Sequence, residues 1–277
     1  MIKIVADSAC DVPEDMAEKL GITIVPVFIN VGDQSYVDGI EMSRKMFYDQ
    51  LSSFPQHPST AAPPAGTFTE IYNQLAQEGA TQIISVHIAD ALSNTYNAAR
   101  VGAEAADVPV TLVDTDQVTV AAGLLVILAA EAAQNGRSHD EIVSLLNKNI
   151  PNTRFFGMIN NLDALRRSGR VNWAQFGFGT LLQIKPIMMI ADGAIEVVAR
   201  VRTQKKAIPH VQELMKGLAP FERVVIVHTD SLPLAERLHA KVVEMFPGQD
   251  IPIMEVGPAV GTHIGAGAVG FASVSKR

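Results

Sequence analysis

Hydroxyl side chains at loop and helix-start positions, together with His263, are the residues best suited to chemistry in this sequence. Ser93 lies in Leu92-Ser-Asn-Thr-Tyr96, which follows a predicted strand and opens a predicted helix. A serine at a helix N-terminus offers donors to an anion, but it also serves as an ordinary N-cap. Thr60 precedes a proline-rich turn, and His263 lies among glycines and small apolar residues. These residue types favour anion binding, and each is also compatible with a structural role.

The pattern Gly265-Ala-Gly267-Ala-Val-Gly270 matches the G-x-G-x-x-G dinucleotide-binding motif, but the neighbouring sequence features of that motif are missing. In dinucleotide-binding folds the pattern follows the first strand, and an acidic residue lies about 20 positions later. The residues after Gly270 are Phe-Ala-Ser-Val-Ser-Lys-Arg, with no acidic side chain. We therefore interpret these glycines as structural, letting a helix start pack close to a neighbouring backbone or ligand.

Other common catalytic and cofactor motifs are missing from the sequence. It contains neither a G-x-x-x-x-G-K-[ST] phosphate-binding loop nor a G-x-S-x-G nucleophile elbow. Its seven histidines show no H-x-H or H-E-x-x-H spacing. The sequence therefore predicts no cofactor and no metal site of local spacing, while a metal site assembled from distant positions stays open.

The composition favours a folded protein of the cytoplasm. Its 277 residues carry 22 basic and 29 acidic side chains, a formal charge of −7, which argues against binding to nucleic acid. The single cysteine, Cys10, excludes an internal disulfide. The N-terminal residues lack a signal-peptide pattern, and the apolar run at 118–130 is shorter than the roughly 20 residues that span a bilayer. We expect no integral membrane segment, and any membrane contact would be transient.

Two kinds of pattern meet near residue 150. Before it, β-branched runs at 2–6, 22–29, 83–87 and 110–113 alternate with helical patterns, which predicts a mostly parallel α/β sheet. After it, Asp192-Gly193 between two apolar runs predicts a hairpin and thus antiparallel pairing. The sequence therefore predicts an N-terminal α/β domain at residues 1–150 and a mixed α+β domain at residues 151–277.

Eight short segments resemble, in order and spacing, the DegV family of fatty-acid-binding proteins, which includes the binding subunit of the bacterial fatty acid kinase. Each segment is short, but together they span nearly the whole chain and make a specific pattern. The segments are Asp7-Ser-Ala-Cys-Asp-Val-Pro13, Tyr36-Val-Asp-Gly39, Ser59-Thr60 with Pro63, Leu92-Ser-Asn-Thr-Tyr96, Val113-Asp-Thr115, Leu165-Arg-Arg-Ser-Gly-Arg-Val171, Leu181-Leu-Gln-Ile-Lys-Pro-Ile187 and Gly257-Pro-Ala-Val-Gly-Thr-His263.

The resemblance implies two domains with an apolar tunnel between them that holds a long-chain fatty acid. It places the fatty-acid carboxylate against Thr60, Ser93 and His263, with Arg170 near the head group. It also implies a bacterial carrier rather than a catalyst. A separate ATP-dependent fatty acid kinase subunit would phosphorylate the presented carboxylate, and the acyl phosphate would enter phospholipid synthesis.

The chain departs from the family pattern beside each of the three main contacts. Ala61, Asn94 and Ile264 stand where the family usually has serine, glycine and threonine, so the polar shell around the carboxylate is thinner. The apolar residues 176–184 and 187–190 are candidates for the tunnel wall, although most of them also suit an ordinary core.

Two other interpretations of charged and hydroxyl residues stay open. Four cations cluster in an otherwise acidic protein, where they could contact a partner or nucleotide phosphates, or lie at a solvated strand end: Arg200, Arg202, Lys205 and Lys206. An alternative function is a serine-dependent acyl hydrolase that uses Ser93 as nucleophile and His263 as base. A third is an interaction module that binds no lipid.

Overall fold

The computed structural model describes residues 1–160, 162–171 and 184–276. The strands are β1 (Ile2–Asp7), β2 (Ile22–Val25), β3 (Phe28–Val31), β4 (Gln34–Val37), β5 (Ser59–Ala61), β6 (Gln82–His87), β7 (Val110–Asp114), β8 (Thr153–Met158), β9 (Lys185–Ala191), β10 (Ala194–Val201), β11 (Phe221–His228), β12 (Ile253–Glu255) and β13 (Val269–Ser275). The helices are α1 (Glu14–Leu20), α2 (Arg44–Gln50), α3 (Ala65–Gln77), α4 (Thr95–Glu104), α5 (Thr119–Gln134), α6 (His139–Asn149), α7 (Leu162–Arg167), α8 (Gln204–Leu218), α9 (Leu232–Met245) and α10 (Pro258–Ile264).

A four-stranded parallel sheet with the order β2-β1-β6-β7 confirms the prediction for the first half of the chain. Its strands are apolar on both faces because helices cover both sides. Phe68 and Tyr72 of α3 pack with Val5 and Ile83 on one face. The apolar helix α5 packs on the other face. The spacing of Ser138 and Glu141 in the sequence predicts a capping box at a helix start. The helix α6 begins there, and the two residues exchange hydrogen bonds.

The predicted strand at 22–29 is wrong, because it is two strands in two different sheets. Pro26 has no N–H to donate to a ladder, and the chain changes direction there. The residues before it form β2 of the parallel sheet, and those after it form β3 of a small antiparallel sheet ordered β4-β3-β5. This break matters for function because β5 carries Thr60, which pairs with Ile29.

A six-stranded sheet with the order β10-β9-β8-β13-β11-β12 forms from the second half of the chain. The predicted hairpin is confirmed: Asp192 and Gly193 both have positive φ, 51° and 70°, between the antiparallel β9 and β10. The interpretation of Gly270 as part of a helix start is wrong, since it lies in β13 near the middle of the sheet. A Cβ at Gly270 would overlap the carbonyl oxygen of Phe156 on β8, so the close approach is strand to strand.

The largest apolar cluster joins residues from both sides of the predicted boundary at residue 150. Ile4 and Leu125 lie in it together with Phe155, Val225 and Ala272. The helix α5 is buried almost all round, because it packs against β1 and also against β8, β11 and β13. Within the described part of the chain, no helix is both long and apolar enough to cross a membrane.

Candidate functional site

A cavity lies where the parallel sheet, the small antiparallel sheet and α10 meet. Its walls come from both halves of the chain and are mainly apolar, including Ala9, Val27, Ile88, Val118, Ile190 and Ile195. Of the predicted tunnel-wall residues, Ile190 lines the cavity, whereas Ile187 and Met188 lie in apolar clusters of the core. Residues 176–183 lie outside the described residues. A dry wall of this kind suits a hydrocarbon chain.

Polar side chains also line this cavity, and all four predicted ligand contacts are among them. We call them the cavity cluster; its members are Thr60, Ser93, Thr95, Ser168, Arg170 and His263. They come from β5, the loop before α4 and its first residue, the loop after α7, and α10. The structure thus brings together residues that are separated by as many as 203 positions in the sequence.

Thr60 and His263 form the best-defined contact of the cavity cluster. The hydroxyl of Thr60 lies 3.0 Å from Nε2 of His263. Thr60 is fixed by the pairing of β5 with β3, and His263 by its place near the end of α10. Either side chain can be the donor, because a neutral imidazole nitrogen and a hydroxyl can each donate or accept.

The imidazole of His263 is neutral at physiological pH. Burial, as the largest cause, together with the positive charge of Arg170 and that of His57 when it is protonated, lowers its pKa from 6.5 to about 3. A neutral ring has one N–H donor and one acceptor nitrogen. His263 can therefore donate a hydrogen bond to an anion without contributing a full positive charge of its own.

Ser93 lies two positions before Thr95, the first residue of α4, and lines the cavity. Its Oγ lies 2.9 Å from Oγ1 of Thr95 and accepts a 3.3 Å hydrogen bond from the Thr95 amide. Ser93 is therefore not the N-cap of α4, which is Asn94, although its hydroxyl accepts an amide of the first turn. The amides of Leu92 and Ser93 both donate to the carbonyl of Ala89. The Ser93 hydroxyl, rather than these two amides, is therefore the group available to a ligand.

Thr95 and Ser168 are lining residues that the sequence interpretation missed. Thr95 is fully buried and contacts Ser93, two positions before it, so its place at a helix start was the available signal. Ser168 donates to the carbonyl of Leu165 at 2.6 Å and accepts from the Arg170 amide at 3.2 Å. Each hydroxyl holds a neighbouring residue of the cavity cluster in place.

Arg170 brings the positive charge of the cavity cluster. Its side chain is largely exposed, yet it lines the cavity and donates to the carbonyl of Ser168 at 2.6 Å. Partial burial lowers the pKa of its guanidinium, which stays protonated because an arginine pKa lies far above neutrality. The charge sits beside a neutral His263, so an anion bound there would meet one formal cation from these two residues.

The four other predicted cations do not line the cavity. They are exposed on β10, on the residues that follow it and on the first turn of α8: Arg200, Arg202, Lys205 and Lys206. They form a separate basic surface. Within the described ranges, no group of three or more histidine, cysteine, aspartate or glutamate side chains could hold a metal ion.

A second group of histidine and hydroxyl side chains lies inside the parallel sheet. Nδ1 of His87 is 2.9 Å from Oδ2 of Asp7, its Nε2 is 2.8 Å from Oγ of Ser85, and Ser85 is 2.8 Å from the hydroxyl of Tyr72. All four side chains are completely buried, and we call them the sealed cluster. Burial and the hydrogen bond to Ser85 act in opposite directions on Tyr72, and burial prevails, raising its pKa to about 12.

The serine-hydrolase alternative lacks its central contact. Ser93 pairs with Thr95, and His263 pairs with Thr60, so the described residues provide no nucleophile–base bond between Ser93 and His263. The arrangement in which a serine, a histidine and an aspartate are connected in that order occurs in the sealed cluster. No substrate can reach it there, because Ser85 is fully buried.

Comparison with known proteins identifies relatives along the whole chain. The family model described as "Uncharacterised protein, DegV family" matches residues 1–276. A DegV domain-containing protein of Streptomyces coelicolor is 36% identical over 286 residues, covering 100% of this chain and 99% of the relative. The structure of a DegV family protein from Thermus thermophilus, described as fatty acid binding, superposes with a TM-score of 0.92 at 27% identity, with 99% of each chain covered. DegV of Bacillus subtilis, described as a fatty acid binding protein, gives 0.91 at 28% identity, again with 99% of each chain covered.

Proposed function

The chain belongs to the DegV family, and we propose that it binds a long-chain fatty acid in the cavity, with the carboxylate at Thr60, Ser93 and His263. The observation that carries this proposal is that these three side chains line the same mainly apolar cavity, with Thr60 and His263 in direct contact. Solved relatives from Thermus thermophilus and Bacillus subtilis are fatty acid binding proteins of the same fold.

The two ends of a fatty acid match the two parts of the cavity. Each methylene buried against the apolar wall contributes about 0.8 kcal/mol, so a chain of about 14 methylenes contributes on the order of 11 kcal/mol before ordering costs. A carboxylate in such surroundings needs hydrogen-bond donors, because an unpaired charge there is strongly unfavourable. The acyl chain thus supplies most of the affinity, and the cavity cluster fixes which end faces outward.

The carboxylate has a defined set of donors in this arrangement. The hydroxyls of Thr60 and Ser93 would each donate to one of its oxygens, and the single N–H of the neutral His263, placed on Nε2, would be shared between the Thr60 oxygen and the carboxylate. Arg170 would lie on the outer side, where its guanidinium balances the negative charge. The places of Ala61 and Ala62 along the same wall leave this end with fewer polar groups than the family pattern supplies.

A fatty acid held in this way would be presented to a separate ATP-dependent kinase subunit in the cytoplasm. An oxygen of the carboxylate would attack the γ-phosphorus of ATP, the bond to the bridging oxygen would break, and ADP would leave, giving an acyl phosphate for phospholipid synthesis. This chain would bind and orient the acyl group. The basic surface formed by Arg200, Arg202, Lys205 and Lys206 would face the kinase or its nucleotide.

Native mass spectrometry of the purified protein, followed by lipid extraction, tests the binding proposal. We expect one added mass of fatty-acid size, and its occupancy should fall in His263→Ala. His210→Ala is the matched control, because His210 is an exposed histidine outside the cavity. A wild-type protein that stays unliganded after incubation with saturated, unsaturated and branched fatty acids would contradict the proposal.

The kinase proposal needs a separate experiment. Phosphate transfer from ATP to the bound fatty acid would be measured with a purified bacterial fatty acid kinase subunit. We expect acyl phosphate only when both proteins are present, and a slower reaction with Arg202→Ala although its fatty-acid content is unchanged. Product formed by this chain alone would show that it is a catalyst, against the proposal.

A further inference from the structure

Asp11 lies at the centre of a buried hydrogen-bond group that the proposed binding mechanism does not use. Its side chain is 3% exposed and accepts three hydrogen bonds. Oδ2 accepts from Oγ1 of Thr119 at 2.6 Å, while Oδ1 accepts from Nη2 of Arg44 at 3.0 Å and from the amide of Gly257 at 2.9 Å. We call these four residues the latch. They belong to the loop after β1, to α5, to α2 and to the residue before α10.

The backbone of the latch is held in an uncommon conformation at two positions. Asp11 has φ of 51° and Thr119 has φ of 50°, both in the left-handed region. That region is unfavourable for most residues and especially for a β-branched side chain such as threonine. Such conformations persist where the surrounding contacts enforce them, and they concentrate at ligand sites and clamps. Here the two residues are bonded to each other.

The latch controls where α10 begins. Gly257 is the N-cap of α10, and a Cβ at this position would overlap Oδ1 of Asp11, so the backbone approaches the carboxylate closely. Tyr48 of α2 donates to the carbonyl of Val256 at 2.8 Å, and a Cβ at Gly261 would lie 2.6 Å from the Tyr48 hydroxyl. The first turns of α10 are therefore fixed between Asp11 and α2.

Three members of the latch lie next to lining residues of the cavity in the sequence. Ala9 precedes Asp11 by two positions, Val118 precedes Thr119, and Ala259 and Val260 follow Gly257. His263 lies six positions after Gly257, near the end of the same short helix. A shift of α10 at its start would therefore move His263 relative to Thr60, which is held on β5 by the pairing with β3.

We propose that Asp11 is a positioning residue for the carboxylate end of the cavity, holding α10 in the place where His263 meets Thr60. Asp11 does not touch the ligand in this arrangement. It acts through the Gly257 amide and the helix that follows. The part of the proposal that concerns affinity rests on the proposed function, whereas the part that concerns α10 does not.

Hydrogen–deuterium exchange without ligand tests the structural part. We expect Asp11→Ala and Thr119→Val to raise the exchange of residues 258–264 at least about tenfold, because the helix start loses its anchor. Thr119→Ser keeps the hydroxyl and should exchange like the wild type. Leu146→Ala, a truncation in the same core but on α6, is the control for general destabilisation and should leave 258–264 slow relative to the rest of the chain. Unchanged exchange at 258–264 in both Asp11→Ala and Thr119→Val would overturn the proposal.

A double-mutant cycle with His263→Ala tests the link to binding. Oleic acid affinity would be measured by displacement of a fluorescent fatty acid. We expect Asp11→Ala to weaken binding about tenfold or more when His263 is present, and about twofold at most in the His263→Ala background, because coupled residues are not additive. Equal losses in both backgrounds would mean that Asp11 does not act through His263. A wild type that binds no fatty acid would end the proposed function, and the exchange experiment would still decide the role of the latch.

Discussion

The cavity cluster and the sealed cluster contain nearly the same types of side chain but differ in what surrounds them. Each has one histidine within 3.0 Å of a hydroxyl, and each has a serine within 2.9 Å of a second hydroxyl. In the sealed cluster both nitrogens of His87 have partners, the carboxylate of Asp7 also accepts the amides of Ala9 and Ile88, and nothing is exposed. In the cavity cluster the side chains face an apolar space.

This difference shows why residue types alone do not define a site. A satisfied histidine–serine–aspartate chain inside a sheet stabilises the fold, because its polar groups are paired where water cannot reach them. Hydroxyls and an imidazole that line an apolar cavity can make further hydrogen bonds, and a bound ligand provides the second group for them. Substitutions in the sealed cluster should therefore change stability, and those in the cavity cluster should change binding.

His87→Ala should give the largest effect of all. It removes a fully buried ring that forms hydrogen bonds with Asp7 and Ser85. The ring also packs edge-on against Phe68, with 5.4 Å between the two ring centroids. We expect the free energy of unfolding to fall by about 3 kcal/mol, from the unpaired polar groups and the cavity together. Urea unfolding followed by circular dichroism measures it. A loss below about 1 kcal/mol would show that the sealed cluster does not stabilise the fold.

His263→Ala should act on binding instead. Loss of one hydrogen bond to a carboxylate costs about 1.5–3 kcal/mol, which corresponds to a fatty-acid affinity lower by about 10- to 100-fold. The free energy of unfolding without ligand should stay within about 1 kcal/mol of the wild type, because the ring faces a cavity. Calorimetric titration with oleic acid measures the affinity. Unchanged affinity would remove His263 from the site.

Acid should destabilise the fold through His263. Its pKa is lowered from 6.5 to about 3, so below pH 6.5 the unfolded chain takes up a proton that the folded chain refuses. Stability therefore falls as the pH drops from 6.5 towards 3, by at most about 1.4 kcal/mol per pH unit.

His263→Gln, which cannot titrate, provides the comparison for that pH dependence. The difference in unfolding free energy between the wild type and this variant should shift in favour of the variant between pH 7 and pH 5. Burial also raises the pKa of Asp38 to about 6, which acts in the opposite direction, but it is common to both proteins and cancels. A difference that stays constant over this range would contradict a lowered pKa at His263.

A matched pair of serines gives the smallest effects and the most direct test of the comparison. Ser93→Ala should weaken fatty-acid binding by about tenfold and change stability by less than about 0.5 kcal/mol. Ser85→Ala leaves Tyr72 and His87 without their shared partner, so stability should fall by about 1–2 kcal/mol, while the folded protein binds fatty acid normally. Both variants would be assayed by thermal unfolding and by fatty-acid titration. The reverse assignment of the two effects would invalidate the comparison.

Local sequence patterns were sufficient for much of the fold. The β-branched runs of the parallel sheet, the Asp192-Gly193 hairpin and the Ser138 capping box depend on neighbours a few positions away, and they were predicted. The split at Pro26 was not, because a run of β-branched residues on both sides hides a change of sheet. The strand β13 was also missed, because the need for glycine at position 270 comes from the close approach of Phe156 on β8, far away in the sequence.

The site, like the fold, has residues that the sequence indicated and one whose role it did not indicate. Thr60, Ser93, Arg170 and His263 were selected by resemblance to a family and gather at one cavity. The role of Asp11 was not visible, although it lies in a segment that carried the resemblance. Its three partners are 33, 108 and 246 residues away, so no local pattern records them. Contacts of that range are set only by the completed fold.

The position of β13 in the six-stranded sheet has a consequence for biosynthesis. It pairs with β8 on one side and with β11 on the other, yet it is made after both. A growing chain can thus assemble β8, β9 and β10 as one ribbon and β11 with β12 as another, each with an open edge that can aggregate. The strand that fills the space between the two ribbons, β13, is the next element after α10. Joining the two ribbons should therefore coincide with the arrival of His263 beside Thr60, so that a nascent chain completes its sheet and its cavity in the same step.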